Sequence, residues 1–164
     1  MNPQNVELLI RLCDAGVEMV VVGGIAAVLH GSSLPTEDLD VCSPITTANM
    51  ARLITAIGPL HPRFRFHPKR PALTTDADHL ATFRNLNLIT DLGILDVLGE
   101  ITGLGGYPEV AKHAVRIEIQ GRLIQVLDLD SLIRAKEAAG RNKDKLGVMH
   151  LDSLKRRKEL GESE

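Results

Sequence analysis

Residues 20–41 of the chain read VVVGGIAAVLHGSSLPTEDLDV. The β-branched run that opens this stretch is typical of a buried strand. Gly23 and Gly24 then let the backbone turn sharply, and the apolar segment 25–30 is expected to be a short helix. The start of such a helix presents backbone N–H groups to an anion, although a tight turn without any ligand has the same sequence.

Thirteen residues separate Gly24 from Asp38 and Asp40, which flank Leu39. Their segment alternates polar and apolar residues, so we expect a strand with both carboxylates on one face. Carboxylate oxygens bind hard cations, here Mg²⁺ first and Mn²⁺ as the alternative. The competing interpretation is the solvated face of an edge strand. Together, Gly23, Gly24 and the carboxylates predict a nucleoside triphosphate site, which needs donors for phosphate oxygens and a metal that bridges them to carboxylates.

Length and composition indicate an ordinary globular protein. The 164 residues suit one domain, 1–164, and 44% hydrophobic with 24% charged residues is typical of a soluble chain. A formal net charge of −2 gives no overall attraction to nucleic acid. Without an apolar run of about 18 residues or a signal peptide, we expect a cytoplasmic protein with no membrane association. Cys13 and Cys42 lack metal-site spacing and are expected to be reduced thiols.

The order of the expected elements predicts an α/β to α+β fold, a mixed sheet with helices packed on it. Asp128 or Asp130 is expected to cap a helix that ends at Gly140. The expected elements are strands at 17–22 and 37–42, hairpins that turn at 92–93 and 120–122, a loop at 58–75, a helix at 131–140 and a charged helix at about 143–160.

The glycine pair, the spacer and the Asp-Leu-Asp-Val block resemble the nucleotidyltransferase signature of the DNA polymerase beta superfamily. Within it, the chain is similar to minimal bacterial nucleotidyltransferase-like proteins, including the AbiEii-type toxin group, in the blocks LHGSSLPTEDLDVC, TDLGILDVLGEITGLGGY and LIRAKEAAGRNKD. This resemblance covers most of the chain and implies a nucleotidyltransferase-like sheet. It also implies two-metal, Mg²⁺-dependent transfer of a nucleoside monophosphate from an NTP to a hydroxyl acceptor, with release of pyrophosphate.

The resemblance further implies a third carboxylate on a later strand, and Asp96 in GILDVLG is the matching position. A charged residue inside an apolar strand is costly unless it has a partner. A metal shared with Asp38 and Asp40 would supply one, although a hydrogen-bonded aspartate or an exposed strand face explains Asp96 without a metal. Asp91, five residues earlier, is the rival third ligand.

Four further residues are candidates for binding the phosphates of the nucleotide. Ser32 and Ser33 carry hydroxyls that would donate to phosphate oxygens, or else cap a loop. Lys136 and Arg141, with Lys143 behind them, would supply positive charge. The alternative for these cations is an amphipathic helix with a solvated basic edge.

Some departures from the resembling group favour a second function. Many of its members carry an arginine before Thr36, where this chain has Leu34 and Pro35. The alternative is a weak or inactive nucleotidyltransferase-fold module that binds a partner protein in a toxin–antitoxin-type system. For an active enzyme, the acceptor stays open among RNA, a protein and a small molecule. The segment HPRFRFHPKR at 61–70 alternates arginine and phenylalanine, as a single-stranded RNA site does, or is an ordinary loop.

Overall fold

A seven-stranded mixed sheet forms the centre of the structure, a computed structural model that describes residues 1–161 apart from the side chains of 142 and 143. Residues 162–164 of the expected domain, and the side chain of Lys143, lie outside this description. The sheet strands are β1 (Val20–Val22), β2 (Leu39–Cys42), β3 (Arg63–Phe64), β4 (Asn85–Thr90), β5 (Gly93–Leu98), β8 (Ala114–Ile119) and β9 (Arg122–Leu127). A separate ribbon pairs β6 (Glu100–Ile101) with β7 (Gly105–Gly106). The helices are α1 (Pro3–Asp14), α2 (Gly23–Leu29), α3 (Thr47–Ile57), α4 (Ala77–Leu80), α5 (Tyr107–Ala111), α6 (Leu129–Ala139) and α7 (Asn142–Glu159).

Strands β2 and β5 lie near the middle of the sheet, whose order is β3-β4-β5-β2-β1-β9-β8. Strand β2 runs parallel to β5 and β1 runs parallel to β9, whereas the other neighbours are antiparallel. The predicted fold class, a single domain with helices packed on a mixed sheet, is therefore confirmed. In the part of the chain that the structure describes, no helix is long and apolar enough to cross a membrane.

The strands of the opening stretch are shorter than the sequence predicts. Strand β1 begins at Val20, and β2 begins at Leu39, so Asp38 immediately precedes its strand. The segment predicted as a loop at 58–75 contributes β3, because Arg63 and Phe64 pair with the outer side of β4. The phenylalanine is anchored there by a stacked contact with Phe83, with ring centroids 5.6 Å apart.

Alternation of side chains gives the central strands one apolar and one polar face. The polar face carries Asp40 on β2, Asp96 on β5 and Asn87 on β4. Asp96 is the register partner of Asp40 on one side and of Asn87 on the other, so the three residues form a row across the sheet. The apolar face packs into the core through the buried side chains of Leu39, Val41, Leu86, Leu88, Leu95 and Val97.

The buried side chain of Asn49 on α3 holds together the segments on either side of the β1–β2 pair. Its Oδ1 accepts from the Glu18 N–H at 2.8 Å, and its Nδ2 donates to the carbonyls of Glu18 and Pro44 at 3.1 and 3.0 Å. Because the Glu18 backbone is bonded to this side chain, it does not extend β1 towards residue 17. The amide thereby fixes where the strand begins.

We expect Asn49→Ala to lower the free energy of unfolding by about 2–4 kcal/mol, because it leaves three backbone hydrogen-bonding groups without their partner. Urea denaturation followed by circular dichroism measures this loss. Thr55→Ala is the matched control, since its exposed hydroxyl bonds only to a carbonyl of the same helix. Equal stability of the two variants would contradict the role given to Asn49.

Candidate functional site

Two carboxylates face each other on neighbouring parallel strands. Asp40 on β2 and Asp96 on β5 are register partners, and Asn87 on β4 is the next partner along. Adjacent strands lie about 4.8 Å apart, so the two carboxyl groups are forced into close proximity. The pairing therefore builds a concentrated negative charge into the polar face of the sheet.

The electrostatics of Asp40 reflect this crowding. Its pKa is raised from 3.8 to about 7, first by burial and then by the negative charges of Asp96 and Asp38. A hydrogen bond with Asp96 raises the pKa further, whereas the positive charge of Arg65 lowers it. Asp40 thus lies in a place where a positive charge would be strongly stabilising.

Asp96 already has firm partners. It is buried, with 8% of its surface exposed. The Arg65 Nη2 group donates to both of its carboxylate oxygens, at 2.7 and 2.8 Å. The Asn87 Nδ2 group donates to the Oδ1 atom at 2.8 Å. Asp96 is therefore a hydrogen-bonded aspartate, which is one of the alternatives that the sequence left open. Any metal ion that bound Asp96 would have to compete with Arg65 for its oxygens.

The glycine pair is required by the close packing around Asp40. Gly23 has a φ of +66°, and a Cβ atom there would overlap the carboxylate of Asp40. A Cβ atom on Gly24 would overlap the hydroxyl of Thr36. Both positions need glycine because side chains from the following loop and strand occupy the space, and a larger residue would displace the carboxylate.

Two adjoining clefts open beside the glycine pair. The larger, about 380 Å³, brings together Gly23, Gly24, Asp40, Lys136, Arg141 and Asp144. The second, about 300 Å³, shares four of these residues and is also lined by Ser32 and Thr36. The larger cleft therefore joins a carboxylate of the sheet to two cations from the C-terminal helices.

The cations of the cleft are organised by Asp144 on α7, which is buried. Its carboxylate accepts from the Arg141 Nε at 2.7 Å and lies 3.9 Å from the Lys136 Nζ. Gly147, one turn further along α7, lies against the Lys136 side chain, and a Cβ atom there would be 3.3 Å from the Nζ. A glycine at position 147 therefore leaves space for the lysine.

The other candidates from the sequence take different places. Asp38 precedes β2 and is close enough to raise the pKa of Asp40. Ser32 is nearly buried, and its hydroxyl accepts from the Leu34 N–H at 3.2 Å. Ser33 is exposed and lines neither cleft. Asp91 lies in the β4–β5 turn and contacts the His61 Nδ1 at 2.6 Å, whereas Asp96 lies opposite Asp40.

Asp38 and Asp40 are the residues of the site that could hold a hard cation. Asp38 and Asp40 supply carboxylate oxygens in a region of excess negative charge. Among the described residues, however, no group of three or more His, Cys, Asp or Glu side chains is placed to hold a metal ion. The oxygens of Asp96 already accept three hydrogen bonds from Arg65 and Asn87.

Sequence reasoning missed Arg65 and Asn87 as members of the site. The alternation of residues 85–88, Asn-Leu-Asn-Leu, was a usable signal, since it places Asn87 on the polar face of a strand. Arg65 stood in a segment interpreted as a loop or an RNA contact. Its partner Asp96 is 31 residues away, and only the pairing of β3 with β4 brings the two together.

Comparison with known proteins identifies the fold. Neither a protein family model nor a curated protein matches the chain. Among solved structures, the chain is similar to that of a candidate nucleotidyltransferase from Thermotoga maritima, with a TM-score of 0.59 and 18% sequence identity. The match covers 91% of this chain and 92% of the other. At this identity the likeness shows the fold alone: the chain has the nucleotidyltransferase-like fold.

Proposed function

We propose that the protein is a Mg²⁺-dependent nucleotidyltransferase that moves a nucleoside monophosphate from an NTP to a hydroxyl acceptor and releases pyrophosphate. The observation that carries the proposal is the position of Asp40, which lies opposite Asp96 and lines a cleft shared with Lys136 and Arg141. A carboxylate pair beside a cationic cleft matches the two needs of phosphoryl chemistry, a cation site and neutralisation of phosphate charge.

The residues of the cleft have distinct parts in the proposed reaction. Asp38 and Asp40 would hold a Mg²⁺ ion, which when bound neutralises phosphate charge and lowers the pKa of the acceptor hydroxyl. Lys136 and Arg141 bind the phosphates, and the absence of side chains at the glycine pair lets the nucleotide approach the backbone. In this proposal the α-phosphate would lie next to the carboxylates.

The transfer itself exchanges one phosphorus–oxygen bond for another. The acceptor oxygen forms a bond to the α-phosphorus, the bond from that phosphorus to the oxygen bridging to the β-phosphate breaks, and pyrophosphate leaves. Asp96, which adjoins Asp40, takes the hydroxyl proton as the new bond forms. Positive charge from Lys136 and Arg141 stabilises the departing pyrophosphate.

We expect Asp40→Asn to lower nucleotide transfer by at least about 100-fold, because loss of a metal-binding carboxylate removes several kcal/mol of transition-state stabilisation. The assay follows Mg²⁺-dependent incorporation from each of four α-³²P-labelled NTPs, with total RNA and cell lysate as acceptors. Asp91→Asn is the matched control, since this exposed carboxylate lies in the distant hairpin turn. Transfer by the Asp40→Asn protein at the rate of the control would refute the proposed role.

A second prediction concerns stability in the absence of metal. The folded protein holds a proton on Asp40 up to a pH of about 7, whereas the unfolded chain releases it near the ordinary pKa of 3.8. The free energy of unfolding is therefore expected to fall as the pH rises from about 4 to about 7, by on the order of 3 kcal/mol.

Urea denaturation in the presence of EDTA, at pH 5 and pH 7.5, measures this change. In the Asp40→Asn variant the pH dependence of this residue is removed, so its curve should be flatter than that of the wild type. Added Mg²⁺ should restore stability at pH 7.5 in the wild type alone. Parallel pH profiles for the two proteins would contradict the environment described for Asp40.

One observation favours the alternative of a weak or inactive module that serves as the protein-binding half of a toxin–antitoxin-type pair. Arg65 and Asn87 already satisfy the oxygens of Asp96. Isothermal titration calorimetry with NTPs and Mg²⁺ separates the two functions. The transferase is expected to bind an NTP only with the metal, and Lys136→Ala should weaken that binding about tenfold by removing one charged contact. An inactive module binds neither.

A further inference from the structure

We infer that Arg65 takes the place of a second metal ion, so that the site holds a single divalent cation at Asp38 and Asp40. This inference rests on the proposed function, and it departs from the two-metal arrangement that the sequence resemblance implies. It makes Arg65 a positioning residue that acts through Asp96.

The hydrogen bonds of Arg65 resemble the way a cation is held by a carboxylate. One nitrogen, the Nη2 atom, lies 2.7 Å from one oxygen of Asp96 and 2.8 Å from the other. It therefore sits between the two oxygens, where a bidentate metal ion would sit. The Asn87 amide donates to the Oδ1 atom from a different direction, so the carboxylate is held on two sides.

Arg65 is fixed in this position by its surroundings. Its backbone N–H donates to the carbonyl of Asn87 at 2.9 Å, which continues the pairing of β3 with β4. Its guanidinium lies over the ring of Phe66, with 4.2 Å from the central carbon to the ring centroid. The side chains of Arg65 and Asp96 are only 18% and 12% exposed, so water screens their attraction weakly.

Burial of this arginine has a cost that its ion pair with Asp96 must offset. Its Nε group is buried without a hydrogen-bond partner among the described residues. An unsatisfied buried donor costs about 1–3 kcal/mol, and an arginine turned towards solvent would avoid it. Retention of the buried arrangement is therefore explained by the charge that it supplies to the carboxylates.

The balance of charge between the three carboxylates and Arg65 favours a single ion. The three carboxylates Asp38, Asp40 and Asp96 carry three negative charges when ionised, and the guanidinium of Arg65 is a permanent positive charge. Two negative charges remain, which one divalent cation neutralises. A second divalent ion would have to displace Arg65 into solvent or share its position.

The test counts bound Mn²⁺ ions by electron paramagnetic resonance, with the metal as the only ligand. We expect about one ion per chain in the wild type and about two in Arg65→Gln, because the variant frees both oxygens of Asp96. Arg65→Lys keeps the positive charge and should return the count to about one. Arg63→Gln is the matched control, since this exposed arginine bonds to the carbonyl of Arg70 and should leave the count unchanged.

Different outcomes separate this inference from the proposed function. Asp40→Asn is expected to lose the Mn²⁺ ion that the wild type binds. An unchanged count of bound ions in that variant overturns the proposed cation site, and with it this inference. If Asp40→Asn loses its ion while Arg65→Gln and the wild type bind equal numbers, the inference about Arg65 alone is overturned. Two ions in the wild type overturn it as well, even if Arg65→Gln does not fold.

Discussion

The parallel pairing of β2 with β5 is the constraint on which the rest of the site depends. Its register makes Asp40 and Asp96 neighbours across the sheet. Like charges at this distance repel strongly where water is partly excluded, so the fold must provide positive charge or accept a protonated carboxyl group. The structure does both, through the Arg65 ion pair and through the raised pKa of Asp40.

The same pairing also supplies the stability that offsets this repulsion. Because side chains alternate along each strand, the register that joins the carboxylates on one face joins buried leucines and valines on the other. Burial of a large aliphatic side chain stabilises the fold by about 1.5–3 kcal/mol. The free energy gained by burying a few such residues exceeds the cost of one crowded carboxylate. Core packing therefore offsets the electrostatic repulsion at the site.

The cations come from two separated parts of the chain, and each is positioned by a carboxylate. Arg65 reaches Asp96 from the edge of the sheet, whereas Lys136 and Arg141 gather around Asp144 at the junction of α6 and α7. Each positive charge is thus ordered before any substrate binds, which reduces the entropy lost on phosphate binding. The proposed nucleotide binds in the cleft lined by Asp40, Lys136 and Arg141.

Local sequence determined much of this protein, because glycine pairs, caps and hairpin turns act over a few residues. It predicted the mixed sheet, a helix capped by Asp128 or Asp130 that ends at Gly140, and a glycine turn paired with two aspartates; the structure has Asp128 as the cap. Only the tertiary structure decided which groups meet. Asp96 is bound by Arg65 rather than left open to a metal, since that contact depends on the order of strands in the sheet, which links residues distant in sequence.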